Sequence, residues 1–189
     1  MASFCLTAAY RTIDRVLHLI AWIGAFTMIG LMLIVVYDVL TRYFGFGKVP
    51  GVNSTMMQES QYWAHTVIFS LVIGFGYVRQ VHVRIDLVTS SLARRTRLLL
   101  ELTGCLLFLM PFSLVGAFYC FGYARQSYVN GEISASTIGL SNLWILKSML
   151  VVMFILLFLA GLSQVLKCVE GLRGTLPATQ VDKLVGGGH

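Results

Sequence analysis

Charge is what this sequence has least of. Asp, Glu, Lys and Arg make up 12% of its 189 residues, against about 25% in an ordinary soluble domain. Only eight of them are acids. A chain so poor in charge has too little polar surface to cover a free-standing soluble core. Proline occurs three times, and no internal repeat is visible, which argues against a transporter built from inverted halves. Cys5, Cys105, Cys120 and Cys168 form no close pair and no metal-ligand spacing, so they read as small unpaired hydrophobes. No Ser/His/Asp set falls in a plausible shared pocket, and no glycine-rich loop could cradle a phosphate. The expectation is a protein that is not an enzyme and carries no cofactor or metal.

What the sequence has instead is apolar length. Hydrophobic residues make up 57% of it. A bilayer core of about 30 Å needs around 20 apolar residues to cross as a helix. Four runs meet that need, at about 16–37, 62–78, 98–123 and 143–166. The expected fold is therefore an all-α integral membrane protein with four transmembrane helices. It forms a single domain over 1–173. The tail, 174–189, shows no periodic apolar pattern and is expected to be disordered; its closing "GGGH" looks like a linker or tag remnant.

The net charge of +6 reads as membrane orientation rather than nucleic-acid binding, because the cations border apolar runs. Arg11, Arg15, Arg79, Arg84, Arg94, Arg95, Arg97, Lys167, Arg173 and Lys183 lie on one side of the four crossings. Arg42, Lys48 and Arg125 lie on the other. Ten against three places both termini and the second connection in the cytoplasm. Tyr37, Tyr43, Tyr62, Trp63, Tyr123 and Trp144 then cluster at the outer boundary, where amphipathic rings are favoured.

Local signals fill in the connections. "GFGKVPG", from Gly45 to Gly51, must break the first helix. Thr55 and Gln58 have capping-box spacing ahead of the second run, with Glu59 expected in its first turn. Pro111 predicts a kink and a freed Leu107 carbonyl in the third. A short amphipathic helix beginning at Asp86 is expected to lie in the membrane interface. Gly74, Gly76, Gly116 and Gly122 are candidates for close helix approach.

The polar residues inside or beside the runs carry the functional question. Lys147 lies about one turn inside the outer boundary. It either snorkels to the headgroups or meets an acid or carbonyl on a neighbouring helix. Glu101 stands four residues after Arg97, and Arg42 four after Asp38, the spacing of same-face ion pairs. His18 and His65 lie near opposite ends of their helices, too far apart to grip one haem iron. A His18–His82 pair stays open, although packing or interfacial histidines are the preferred reading. A four-span haem b electron carrier is thus the alternative function class, and a Soret band would distinguish it. A third class, a self-assembling channel, predicts ion flux from this chain alone.

"RYFGFG" after the first run, "MQESQYW" into the second, "GYVRQVHVRIDLV" with "LARRTR" in the second connection, and "NGEIS" with "LSNLW" before the fourth occur in this order. Together they resemble the small, Q-type membrane subunit of tripartite ATP-independent periplasmic (TRAP) transporters. The pattern departs from the family in carrying Gln58–Glu59 where paired acids are common and Leu92–Ala93 where Leu-Pro is common. The resemblance implies an accessory scaffold in a bacterial inner membrane, beside a large membrane subunit. That partner would carry out sodium-coupled uptake of an organic acid, a carboxylate or sulfonate, delivered by a periplasmic binding protein. Glu59, Arg79, His82, Arg84, Asp86, Arg94, Arg95, Arg97 and Lys147 are the candidate contacts to that partner or to phospholipid.

Overall fold

A computed structural model of the protein describes residues 2–45, 47, 49–81, 92–136, 138–176, 181 and 184. Among these residues the regular elements are helical: α1 is Ala2–Phe44, α2 Ser54–Val78, α3 Arg94–Gly104, α4 Met110–Val129 and α5 Leu143–Leu172. A π-helical turn, Cys105–Leu109, joins α3 to α4. The four apolar runs fall within α1, α2, the stretch from α3 through α4, and α5. Among the described residues three helical stretches are long and apolar enough to cross a membrane: Leu6–Phe44, Arg94–Val129 and Leu143–Leu172. α2 has the length, at 25 residues, but Gln58, Glu59, Ser60, Gln61 and His65 near its start keep it out of that set. At 43 residues, α1 is about 65 Å long, roughly twice the hydrocarbon thickness.

The helix ends follow from single residues. Gly45, at φ +68°, terminates α1, as the glycine-rich connection predicts. The N-cap of α2 is Asn53, whose Oδ1 accepts the Met56 amide at 2.7 Å. It is not the Thr55–Gln58 box: the helix starts earlier than that spacing suggests, and Glu59 falls in its second turn. At the other end of α2 the amides of Gln80 and Val81 bond the carbonyls of Tyr77 and Gly76, a Schellman closure. Gln80 takes the left-handed position there, at φ 56°, and its side chain donates to the Leu184 carbonyl at 2.9 Å.

The disturbance expected at Pro111 takes the form of the π turn just ahead of it. Proline offers no amide to Leu107, and the Met110 amide bonds back five residues, to Cys105. A single widened turn of this kind accommodates a break in the α-helical ladder. Ser113 Oγ donates to the Leu109 carbonyl at 2.5 Å.

The chain divides into two compact units. One comprises Met1–Leu19, Ile73–Val115 and Ile155–His189. Its hydrophobic core joins Leu98 and Cys168 to Leu176, Val181 and Leu184, with Leu102 and Leu172 against them. Those three tail residues are buried, so the stretch beyond Gly174 is packed at these points rather than free. The apolar pattern that seats it is only three residues long and is invisible to a periodicity argument. The other unit comprises Ile20–Val72 and Gly116–Phe154. The amphipathic helix expected from Asp86 lies largely outside the described residues, and Leu92 and Ala93, at its end, are not helical.

Many large apolar side chains face outward, among them Phe26, Met32, Phe108 and Phe118 at 65–75% exposure. Water would not tolerate that surface; lipid does. Within the first unit, packing is tightest at Gly74, where an added Cβ would lie 2.8 Å from the Leu156 carbonyl oxygen. Gly76 faces open space. Overpacking costs about 1–3 kcal/mol, so Gly74→Ala should lower the thermal midpoint in detergent by several degrees and Gly76→Ala should leave it nearly unchanged.

Candidate functional site

Polar side chains in a lipid-solvated protein are expensive unless they meet one another. In the second unit they meet around the connection between α4 and α5. Asn53 Nδ2 donates to the Ile138 carbonyl at 2.8 Å. The Glu59 carboxylate accepts from Ser134 Oγ and from the Leu140 amide at 2.5 Å. Gly139 leaves room for it: a Cβ there would lie 2.5 Å from Glu59 Oε1 and from Ser134 Oγ. Glu132 accepts from Ser127 Oγ at 2.7 Å and pairs with Lys147 Nζ. The Lys147 ammonium also lies 3.8 Å from the centre of the Tyr123 ring, a cation–π contact. Asn53, Glu59, Ser127 and Lys147 thus hold one connection in place.

Lys147 meets an acid, though on the α4–α5 connection rather than on a neighbouring helix: its side chain is 13% exposed and its ammonium pairs with Glu132. Glu59 and Lys147 do not touch in this arrangement; they grip the same connection at different points.

A second polar group lies in the first unit, along one stripe of α5. Lys167 Nζ pairs with Asp14 at 2.7 Å, and Ser163 Oγ donates to the same carboxylate at 2.5 Å. Thr7 Oγ1 donates to Glu170 at 2.7 Å, and Gln164 Nε2 to Glu101 at 3.2 Å. Gln164 Oε1 is buried without a partner. Lys167, counted above among the orientation charges, is in fact buried and paired. Sequence reasoning missed Asp14, Gln164, Lys167 and Glu170. The steps of three from Gln164 to Lys167 to Glu170, on an otherwise apolar helix, are the signal that could have found them.

The other candidates are placed as follows. Arg79 stacks over the Phe75 ring, 5.3 Å from its centre. Arg94 and Arg95 are exposed in the first turn of α3. Arg97 Nε donates to the Leu92 carbonyl at 3.0 Å. His82, Arg84 and Asp86 lie outside the described residues, as does the second ligand of a His18–His82 pair. The His18 ring packs against Phe75, with centroids 5.3 Å apart. The Asp38–Arg42 ion pair forms at 2.8 Å as its spacing predicts. Among the described residues no group of three or more His, Cys, Asp or Glu could hold a metal ion.

The hydrogen bond from Lys147, with that from Ser127, holds the Glu132 carboxyl below its ordinary value of 4.5. A depressed carboxylate stabilises the fold above its unfolded-state pKa, and that contribution is lost as pH falls through the lower folded value. Acidification below about 4.5 should therefore loosen the α4–α5 connection first, seen as faster hydrogen exchange at the Leu143 amide, which bonds the Glu132 carbonyl. Glu132→Gln should remove that acid-dependent step and leave exchange fast at neutral pH.

The chain matches the family described as "Tripartite ATP-independent periplasmic transporters, DctQ component" over residues 31–171. The match runs from the middle of α1 to the last turn of α5 and takes in the whole α4–α5 connection. Comparison with curated proteins and with solved structures gives no match. The family is a transporter component, not an enzyme family, and it works in a complex with a large membrane subunit and a binding protein. The chain belongs to the DctQ family: it is a multi-pass small membrane subunit of a TRAP transporter.

Proposed function

We propose that this subunit is a stationary brace for the large subunit of a sodium-coupled TRAP transporter, in a bacterial inner membrane. Its cargo is an organic acid, a carboxylate or sulfonate, handed over by a periplasmic binding protein. The single observation that carries the reading is where the charges are. Lys147, Lys167, Asp14, Glu132 and Glu170 all have partners within the chain, so the polar groups fasten helices together rather than line a path for solute. A part that moves cargo needs polar groups free to exchange partners; a brace needs them occupied.

In this reading all four apolar runs cross the membrane, both termini are cytoplasmic, and α2 crosses with its more polar face against protein. The second connection, with Arg79, His82, Arg84, Asp86, Arg94, Arg95 and Arg97, docks the large subunit directly or through phospholipid headgroups. Guanidinium groups suit both, because they bind carboxylate and phosphate bidentately. The α4–α5 connection and the neighbourhood of Lys48 and Arg125 face the binding protein. The clasp around Glu59 and Glu132 supports this, since a preformed surface loses less freedom on binding.

Charge reversal tests the docking role. Arg84→Glu and Asp86→Arg, singly and together, should each cut recovery of the large subunit several-fold and reduce uptake with it. Recovery and uptake unchanged even in the double variant would show that the connection does not dock.

A further inference from the structure

α2 presents one narrow seam to its surroundings. Gln58, Tyr62, His65 and Phe69 are exposed, at steps of four, three and four, which places them on a single stripe. From Ser70 to Val78 no residue of the helix is exposed. Away from its ends α1 shows Ile23, Phe26, Met32 and Leu33 outward and the first turns of α4 show Phe112, Val115 and Phe118, while nearer its end α4 also exposes Tyr119, Tyr123 and Gln126. The seam on α2 has an amide, a phenol and an imidazole for its one phenylalanine.

Lipid is a poor neighbour for that stripe. The His65 ring stacks on Phe69, with centroids 6.1 Å apart and planes 16° from parallel, and among the described residues it takes no hydrogen bond. A neutral imidazole has one donor and one acceptor, and hydrocarbon satisfies neither. Counted along the helix from Tyr62, His65 lies about 5 Å deeper and Phe69 about 10 Å deeper. Tyr62 and Phe69 are 68% and 67% exposed, so two large rings flank the imidazole on an open surface. The stripe is also held still. Asn53 caps the helix and Glu59, one residue from Gln58, is clamped to Ser134 and Leu140. A fixed, half-polar line with an unanswered imidazole at its centre is the mark of a surface completed by another helix.

We infer that the Gln58–Tyr62–His65–Phe69 seam is the docking line for a transmembrane helix of the large subunit. That helix sets a hydrogen-bonding side chain (carboxylate, amide or hydroxyl) against His65 and small apolar residues against Tyr62 and Phe69. The inference rests on the brace reading above and deepens it by naming the face.

The test uses the purified complex of the two membrane subunits in a native-lipid nanodisc. A photoreactive benzophenone residue replaces Phe69 in one sample and Phe118, on α4, in another. The Phe69 position should give the covalent adduct with the large subunit, at least five-fold more than Phe118. His65→Leu should lower recovery of the large subunit at least five-fold, while the free variant stays monodisperse and as heat-resistant as the parent. A lipid-facing His65 gives the reverse, with recovery unchanged or improved when the ring is replaced by an apolar side chain, and that result overturns the inference. So does an adduct from Phe118 alone, or one joining two copies of this chain. If the unaltered chain recovers no large subunit, the brace reading itself fails and the seam falls with it. An intact complex without the Phe69 adduct removes only the seam.

Discussion

Lys167 and Asp14 meet at 2.7 Å on a protein whose outer surface is made of Phe, Ile, Leu and Met. That pair states the constraint on which the structure depends. At the edge of a bilayer core an ammonium as deeply buried as that of Lys167 is tolerated only where the chain itself supplies the counter-charge. The pair joins residue 14 to residue 167, closing the first and last helices on each other. Ser163 and Tyr10 complete its surroundings, the first by a hydrogen bond to Asp14 and the second with its ring 5.6 Å from the ammonium. The Lys147–Glu132 pair does the same work in the other unit, tying α5 to the connection that precedes it. Apolar packing gives the helices reason to associate; these pairs decide which turns face each other.

The same constraint shapes function. Polar groups in a membrane either bind one another or serve a solute, and here the charged groups of Lys147, Lys167, Glu132 and Glu170 are bound within the chain. The α4–α5 connection shows the result most fully: an Asn cap, two glutamates, a lysine and a glycine that makes room for a carboxylate together hold a segment that composition alone would leave loose. In the proposed reading a subunit arranged this way stays still while a neighbour moves. The outward features that meet partners in that reading are Arg79 and Arg95, at the two ends of the second connection, and the half-polar seam of α2.

Much of this was legible in the sequence, and the misses have physical causes. Apolar length located the helices that hold the four runs, three of them long and apolar enough to cross a membrane, and the order of short motifs pointed to the family. The ion pair of Asp38 with Arg42 followed from helical spacing, and Pro111 marked the turn that departs from α geometry. Lys147 showed that something polar had to be nearby, but Glu132 lies fifteen residues away across a connection, and sequence spacing does not reveal such a partner. Asp14 and Lys167 were hidden for a different reason: Lys167 was counted as a boundary charge, acids did not enter that count, and only the length of α1 and α5 beyond the apolar runs brings the two together. The α2 cap was misplaced by two residues because Asn53 and Thr55 are both good cap types and local pattern does not choose between them.

The most direct measurement is a double-mutant cycle on the first ion pair, read as thermal stability of the intact chain in lipid nanodiscs. Asp14→Leu should destabilise by about 3 kcal/mol, because it strands the buried Lys167 ammonium, and Lys167→Met by less, because the Asp14 side chain is 30% exposed. The double variant should recover most of that loss, since two apolar side chains of similar size fit the same space. Single changes that cost nothing, or a double change whose loss is the sum of the two, would contradict the claim that paired charges hold this frame together.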